Sequence, residues 1–490
     1  MEPAPASQHP PRSSSSRPFL SVPGAISVCA AIAAGFVLRA WMYFKFPQIS
    51  GDPLIYGSLA KNLLLHHQFA ITDSSGVPHP TLIRLPGYPL FLAACFRIFG
   101  MENYGAATWL QIVLDLAGCL LLADFVRRIA PYRADAARPA AHITLWLAAL
   151  CPFTAVYAGA PLTEAPTLFV LALAMWSTAR FAEKPGWMCA LLFTAAATYA
   201  ALLRPDGALA AIAFAPAILA RLRKRSPAEG KLAAGRMIAV CALLALTPFA
   251  MWTARNWRVF HVIEPLAPRY ATDPSEDIHP GWQRWVKTWC LDFVSTYTIY
   301  WNVPNSPLDL GQLPSRAFDS PAQYAQTAAI AKAYEDNGED ISPEIDAQFA
   351  ALAGERIAAH PARYYLWLPL GRLADMWFRP RVENLPIDLD WWVYKHHNAE
   401  TRFSWFYAGL NALYVGLGVI GLCFRPRFWR PMLAYMLLRS ALLATIEAPE
   451  ARYTLECFPM LFALGGIALY RLTYWVLLSV FKAKASLGNG

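Results

Sequence analysis

Long apolar segments constrain the fold of this chain more than any other feature of its sequence. A transmembrane helix needs roughly 20 apolar residues to cross about 30 Å of hydrocarbon. Ten segments approach or reach that length, near residues 19–44, 104–126, 140–160, 165–182, 187–203, 206–220, 237–254, 403–424, 431–447 and 456–480. We therefore predict an all-α polytopic membrane protein, a bundle of about 10 to 12 transmembrane helices.

The composition excludes the main alternative classes of protein. Hydrophobic residues make up 56% of the 490 residues and charged residues 15%, whereas an average soluble chain is about a quarter charged. A disordered, collagen-like or disulfide-stapled protein is therefore excluded. The nine cysteines form no C-x-x-C pair, and most lie within or at the ends of apolar segments. We interpret them as small buried hydrophobic residues.

Lysine and arginine are unevenly divided between the two sides of the predicted bundle. The predicted inner segments hold 20 of the 42 lysines and arginines, whereas the short turns on the other side hold only Arg204 and Arg452. Because basic connections stay in the cytoplasm, we predict a multi-pass plasma membrane protein, of the bacterial inner-membrane type, with both termini cytoplasmic. The same distribution accounts for much of the net charge of +9, so we expect no nucleic-acid partner.

This topology divides the chain into four parts. Residues 1–18 form a Pro/Ser-rich tail, predicted to be disordered and cytoplasmic. Residues 19–254 form an N-terminal transmembrane catalytic module, which includes a first extracytoplasmic loop at 45–103. A partly helical extracytoplasmic region follows at 255–402, and C-terminal transmembrane helices with a short cytoplasmic tail occupy 403–490. Two aromatic-rich stretches, Trp282 to Trp301 and Arg363 to Phe378, are predicted to be helices at the outer interface. A further transmembrane pair there would raise the count to twelve.

Ionisable residues gather where the outer ends of the helices meet water. Such groups are costly at the edge of a bilayer, so they are functional candidates by default. The outer turns contain Asp52, Glu164, Arg204, Asp206, Arg255, Asn256, Glu447, Glu450 and Arg452. Carboxylates can take a proton from a nucleophile, and arginine forks can hold phosphate oxygens in pairs. The constellation indicates chemistry on an anionic lipid headgroup, although each charge alone could instead end a helix and pair with a neighbour.

Several motifs resemble those of one family of membrane enzymes. Gly51-Asp52 with Tyr56, followed by Arg84-Leu85-Pro86-Gly87-Tyr88-Pro89, is similar to the first outer loop of the GT-C glycosyltransferases. Further similar positions are Thr163-Glu164, Trp252-Thr253-Ala254-Arg255-Asn256 and Glu450-Ala451-Arg452-Tyr453. The most similar branch is the bacterial protein mannosyltransferase and lipid A aminoarabinose transferase group. The motifs cover nearly the whole chain, although the region from about 257 to 402 carries little of the resemblance.

The resemblance implies an activity and a set of site residues. The activity is transfer of a hexose or pentose, with inversion, from a polyprenyl-phosphate donor to an extracytoplasmic acceptor, which would be an envelope glycan, lipid or protein. Asp52 would be the catalytic base and Glu164 a second acidic residue of the site. We expect the donor phosphate or the substrate to be bound by Arg84, Tyr88, Arg204, Arg255, Asn256, Glu450 and Arg452.

The cofactor requirement is left open by the sequence. The resemblance implies a metal-binding Glu beside the Pro-rich segment of the first loop, and this chain has Arg84 at that place. A divalent metal therefore stays an alternative, and we hypothesise that Arg84 supplies the positive charge directly.

A transporter or flippase of lipid-linked sugars is the main alternative function. Such a protein would place its polar groups at the membrane midplane and show two related halves. The charges here gather at one face, and the sequence shows no internal repeat. Transfer chemistry is therefore the favoured interpretation.

Other polar signals in the sequence are weaker. Asp388-Leu389-Asp390 resembles a metal-and-nucleotide motif, but nucleotide sugars are scarce on the outer side. The adjacent histidines at 66–67 and 396–397 diverge by about 100° on a helix, so we do not interpret them as metal ligands. Four ionisable residues in or near the membrane helices could form a polar relay, although pairing between helices or snorkelling to the interface is the simpler interpretation: Arg39, Asp115, Asp124 and Arg439.

Overall fold

The structure is a computed structural model that describes residues 22–46, 49–130, 134–223, 229–274, 276–390, 392 and 397–487. The predicted tail at 1–18 and one histidine of the second pair, His396, lie outside these described residues.

Helices dominate both halves of the chain. The first half contains α1 (Val22–Lys45), α2 (Asp52–Leu65), α3 (Gly87–Phe99), α4 (Tyr104–Ile129), α5 (Ala134–Ala149), α6 (Pro152–Ala158), α7 (Glu164–Glu183), α8 (Trp187–Leu203), α9 (Leu209–Arg223) and α10 (Glu229–Phe260). The second half contains α11 (Pro280–Lys287), α12 (Phe293–Ser295), α13 (Pro321–Asp336), α14 (Pro343–Ala359), α15 (Leu368–Phe378), α16 (Asn398–Cys423), α17 (Trp429–Leu443) and α18 (Phe458–Leu487).

Short irregular elements interrupt these helices. Two π-helical turns, Thr296–Tyr300 and Arg363–Trp367, follow α12 and precede α15. The 3-10 helices are Pro205–Ala208, Ser315–Ala317 and Ala451–Cys457. After α2 the chain forms a small antiparallel hairpin of β1 (Ala70–Thr72) and β2 (Pro78–Pro80), in which Ile71 pairs with His79. This hairpin is not predicted from the sequence.

Seven helices of the described chain are long and apolar enough to cross a membrane. They lie at Gly24–Lys45, Tyr104–Ile129, Glu164–Glu183, Pro205–Arg223, Leu232–Phe260, Asn398–Cys423 and Ala451–Ser479. The pair Ala137–Ala149 and Pro152–Ala158, bent by 54°, would make an eighth span. The predicted class, a multi-pass helical membrane protein, is therefore confirmed, whereas the predicted count of 10 to 12 passes is not.

The number of membrane spans is lower than predicted because some of the helices are short. Each of the ten predicted segments contains a helix, but α8 has 17 residues and α17 has 15. At 1.5 Å per residue these helices are about 22–26 Å long, shorter than the hydrocarbon layer of about 30 Å.

A buried ion pair joins three helices of the membrane bundle. The Arg39 side chain of α1 is fully buried, and its Nε donates to Asp115 Oδ2 of α4 at 2.6 Å. Its Nη1 donates to the carbonyl oxygen of Ala149 at 2.7 Å, where α5 ends and the chain bends into α6. These two residues are therefore used in pairing between helices, which satisfies charges that would otherwise be costly in the membrane.

The region between α10 and α16 has a hydrophobic core of its own. Trp282, Trp285 and Trp289 are buried there, with Phe349 of α14 packed 5.1 Å from Trp285 between ring centroids. These tryptophans of the first aromatic-rich stretch are thus packed inside the protein.

The second aromatic-rich stretch has a different environment. Tyr365 and Trp367 are 69% and 63% exposed, as expected for aromatic side chains at a membrane interface. Their location at the interface, like the four predicted domain boundaries, stays a prediction.

Candidate active site

A cavity of about 1140 Å³ lies where several connections between helices meet. The α1–α2, β2–α3, α6–α7, α8–α9 and α17–α18 connections contribute charged side chains to its wall, and the region after α10 contributes aromatic ones. Six of the predicted site residues line it: Asp52, Arg84, Glu164, Arg204, Glu450 and Arg452. Residues spread over 400 positions of the sequence therefore form one charged surface.

Asp52 starts α2 directly after a sharp turn. Gly51 has a φ of 65°, a left-handed conformation that glycine adopts without strain. Pro53 follows in the first turn of the helix, where its fixed φ is favourable. The Asp52 carboxylate lies at the helix N-terminus, which stabilises a negative charge. The Gly-Asp-Pro sequence thus fixes this carboxylate at the cavity wall.

Two arginines hold the Asp52 carboxylate. Arg84 Nη2 donates to Asp52 Oδ1 at 2.8 Å, and Arg452 Nη2 donates to Oδ2 at 3.3 Å. Burial raises the pKa of Asp52, but Arg452 and Arg84 lower it by more, so the pKa lies below its ordinary value. A quarter of the Asp52 side chain stays exposed. The carboxylate is therefore charged at neutral pH and open to the cavity.

Glu164 forms a second anionic position, at the first residue of α7. Its side chain is 1% exposed, and Arg204 Nη1 donates to Glu164 Oε1 at 3.2 Å. Arg452 Nη1 lies 3.8 Å from the same oxygen. Arg452 thus faces both Asp52 and Glu164, the two residues predicted to be catalytic.

Further charged residues form ion pairs with Arg204. Arg204 Nε lies 3.0 Å from Glu456 Oε1 and 3.7 Å from Asp206 Oδ1. Arg439 of α17 is fully buried and pairs with both carboxylates, at 2.9 Å from Asp206 Oδ2. The predicted pairing of Arg439 with neighbouring helices is therefore observed. Such a network fixes the orientation of Arg204, because each guanidinium has more than one carboxylate partner.

Glu450 is the more deeply buried of the two glutamates that face the cavity from the α17–α18 connection before Arg452. It is 4% exposed, and Arg452 Nε pairs with its Oε1. Its Oε2 has no hydrogen-bond partner among the described residues. Burial raises the pKa of Glu450 to about 7, although Arg452 opposes the shift. Glu450 therefore exchanges a proton near neutral pH, unlike Asp52.

Three predicted binding residues do not line the cavity. Tyr88 is fully buried, donates to Gln111 Oε1 and packs against Tyr56 with ring centroids 5.0 Å apart. Arg255 donates to the carbonyl oxygens of Thr81 and Phe69, at 2.8 and 2.7 Å. These contacts hold the ends of the β1–β2 hairpin.

Asn256 has a similar structural environment. It is fully buried, and its Nδ2 donates to the carbonyl oxygen of Glu264 at 2.8 Å. Tyr88, Arg255 and Asn256 are thus held by contacts within the protein, and their contacts with substrate stay predictions.

Sequence reasoning missed several groups near the site. Glu383 lines the cavity and accepts a hydrogen bond from Tyr157 at 3.0 Å. Glu456, at the start of the last apolar segment, pairs with Arg204. A carboxylate in a membrane helix is a usable signal, and it could have identified Glu456. Asp388, which we discounted, also lines the cavity.

The residues present do not fit a metal centre. Among the residues that the structure describes, no three His, Cys, Asp or Glu side chains come together in a way that could hold a metal ion. Arg84 lies 2.8 Å from the exposed carboxylate Asp52, and its charge would repel a cation there.

The fold and the site define a helical, multi-pass membrane protein with an arginine and carboxylate cavity at the ends of its helices. No protein-family profile and no curated protein matches the sequence. Among solved structures, the chain is similar to the archaeal oligosaccharyltransferase AglB from Archaeoglobus fulgidus, in complex with an inhibitory peptide and a dolichol-phosphate. The TM-score is 0.44 and the identity 12%, over 95% of this chain and 52% of AglB. The chain thus spans about half the length of AglB.

A second similar structure is ArnT from Cupriavidus metallidurans bound to undecaprenyl phosphate. Its TM-score is 0.35 and its identity 15%, over 92% of this chain and 79% of ArnT. At these scores the matches give no residue of this chain a role.

Proposed function

We propose that this chain is an integral membrane glycosyltransferase. It moves a monosaccharide, a hexose or a pentose, from a polyprenyl-phosphate donor to an extracytoplasmic acceptor and inverts the anomeric centre. The observation that carries the proposal is the position of Asp52, a partly exposed and ionised carboxylate held between the guanidiniums of Arg84 and Arg452 in a large cavity.

The same two arginines suit the leaving group. A phosphate offers oxygens to both guanidiniums in the paired geometry that arginine favours. Arg204 adds a third positive charge to the wall and is oriented by Glu164 and Glu456. As the bond to phosphate breaks, these fixed charges stabilise the negative charge that develops on the leaving oxygen.

The position of Asp52 supports the following chemical step. A hydroxyl oxygen of the acceptor attacks the anomeric carbon and forms the new glycosidic bond. The old bond from that carbon to the phosphate oxygen breaks, and its electron pair leaves with polyprenyl phosphate. The hydroxyl proton passes to the Asp52 carboxylate, which acts as the general base. Attack from the face opposite the phosphate inverts the anomeric centre.

No step of this reaction is assigned to a metal. Arg84 supplies positive charge beside Asp52, and we propose that it replaces a cation. Activity of the purified protein in excess EDTA supports this assignment, and loss of activity that a divalent cation restores contradicts it.

The function is tested by measuring transfer and flipping in the same vesicles. Purified protein is reconstituted with polyprenyl-phosphate hexose or pentose, labelled in the sugar, and an extract of envelope glycans, lipids and proteins is added outside. A transferase moves label from the lipid to the extract and releases polyprenyl phosphate. A flippase moves label between leaflets with the glycosidic bond intact, which would overturn the proposal. A deletion strain should accumulate the lipid-linked sugar.

A further inference from the structure

We propose that the aromatic part of the cavity wall is a binding platform for a saccharide of the acceptor. This inference rests on the proposed function and names the chemical class of the second substrate. The aromatic platform consists of Phe293, Tyr297 and Trp301, all of which line the cavity.

The three rings form one continuous surface because of their spacing. They lie four residues apart, and residues at this spacing share a face of a helix. The Trp301 ring lies 5.5 Å from Phe293 and 5.8 Å from Tyr297 between centroids. The π-helical turn Thr296–Tyr300 lies within the platform, and such turns are frequent at functional sites.

The burial of the rings differs within the platform. Phe293 is 3% exposed, whereas Tyr297 and Trp301 are 52% and 46% exposed. Phe293 therefore serves as a fixed support, and the other two rings are open to a ligand in the cavity. An open pair of aromatic rings is costly to leave in water, so a bound apolar surface would stabilise it.

The polar groups around the platform select the ligand class. Glu447 lines the cavity and accepts from Arg269 at 2.7 Å, and Asp388 lines the same cavity. A sugar ring has an apolar C–H face that packs on an aromatic ring and hydroxyl groups at its edge that bond to carboxylates and guanidiniums. A hydrocarbon chain could form no hydrogen bond with either carboxylate, whereas the hydroxyl groups of a sugar can.

A peptide suits this wall less well than a saccharide. Extended peptides are commonly bound along an exposed strand edge, and the strands that the structure describes, Ala70–Thr72 and Pro78–Pro80, do not line the cavity. The stack of rings with a charged rim therefore favours a saccharide.

The cavity has room for both substrates. Its volume of about 1140 Å³ exceeds the range of about 300–1,000 Å³ that holds a drug-sized ligand. The arginines and Asp52 come from connections between membrane helices, and the platform comes from the region after α10. Donor phosphate and acceptor sugar thus have separate walls of one cavity.

The test measures saccharide binding by the full-length protein in the absence of donor. Saturation-transfer NMR is recorded with maltotriose, with triacetylchitotriose and with a ten-residue Ser/Thr-rich peptide. We expect saturation of the sugar C–H protons and roughly tenfold weaker binding after Tyr297→Ala with Trp301→Ala. Trp301→Ala alone is the second variant, because it leaves Tyr297 over Phe293. Tyr324→Ala is the matched control, since Tyr324 is 48% exposed and lies outside the cavity.

Each remaining outcome contradicts the platform. These outcomes are no contact with either trisaccharide, equal binding by the wild type and both platform variants, an equal loss in Tyr324→Ala, or binding of the peptide alone. If the rings anchor the protein at the membrane interface instead, the variants keep saccharide binding and lose only their orientation in vesicles. Because donor and turnover are absent from this experiment, its failure leaves the proposed transferase activity intact.

Discussion

The Asp52 carboxylate and the Arg452 guanidinium lie 3.3 Å apart although 400 residues separate them in the chain. Arg452 also pairs with Glu450 and lies 3.8 Å from Glu164. One guanidinium from the α17–α18 connection thus faces three carboxylates. Any change in its position would alter the charge around Asp52 and Glu164 together.

Substitution of Asp52 tests the general base. Asp52→Asn keeps the shape of the side chain and removes the base, so we expect donor binding to persist and turnover to fall by about 10²–10⁴-fold. Asp52→Glu should also be impaired, because the added methylene displaces the reacting oxygen. The exposed Asp336→Asn is the control. Near wild-type transfer by Asp52→Asn in a purified assay would exclude this role, and Glu164 would be tested next.

Removal of individual arginines tests phosphate binding. Alanine at Arg84, Arg204 or Arg452 removes a charged hydrogen-bond donor and should cost about 1.5–3 kcal/mol, or roughly tenfold to over a hundredfold in rate. Lysine should restore little activity, because it cannot form the planar fork.

Arg255 is the internal comparison for these variants. Its guanidinium holds the carbonyl oxygens of Thr81 and Phe69, so Arg255→Ala should lower the midpoint of thermal unfolding. Donor affinity per folded molecule distinguishes an arginine that binds the phosphate from one that only stabilises the fold. Unchanged affinity in all three cavity variants would refute the phosphate assignment.

Glu450 should make stability depend on pH. Its pKa of about 7, raised from 4.5, means that the folded protein binds this proton more tightly than the unfolded chain does. The resulting stabilisation is complete below about pH 4.5 and is lost as the pH rises through about 7. The glutamine in Glu450→Gln cannot ionise. The melting temperature of this variant relative to that of the wild type should therefore rise as the pH increases from about 5 to about 8. A constant difference over this range, as expected for the exposed Glu335→Gln, would contradict the shift.

Labelling of introduced cysteines tests the predicted sidedness. A cysteine at Glu335, in the region between α10 and α16, should react with a membrane-impermeant thiol reagent added outside intact cells. A cysteine at Arg223, at the end of α9, should react only after the membrane is permeabilised. The wild type gives the background from its nine native cysteines. The reverse pattern would place the cavity on the cytoplasmic side, where the proposed donor chemistry has no basis.

The parts of the site that could be predicted are those determined by topology. Positive charge in the inner connections brings alternate helix ends to one side, so Asp52, Glu164 and Arg452 are expected at the same face before any contact is known. Their convergence in one cavity agrees with that expectation. The helices follow equally directly from apolar segments, because the backbone in a membrane must satisfy its own hydrogen bonds.

The parts that could not be predicted depend on partners distant in the sequence. Arg255 looks like a phosphate ligand in the sequence, yet its carbonyl partners lie up to 186 residues away in a hairpin without a clear strand pattern. Trp282 and Trp289 look like interfacial residues until α13 and α14 supply a core around them. Periodicity reports which face of a helix is apolar and does not report what covers that face.

The charged network also has a consequence for biosynthesis, because its last members are synthesised near the end of the chain. Asp52, Glu164 and Arg204 enter the membrane while the chain is being made, long before the segment that carries Arg452 and Glu456 leaves the ribosome. Until then Arg204 lacks Glu456, and Asp52 lacks the second of its two guanidiniums. The half-made protein therefore pairs Asp52 with Arg84 and Arg204 with Glu164, but lacks the further partners that the last segment supplies. Insertion of that segment therefore completes both the helical bundle and the charged network around Asp52.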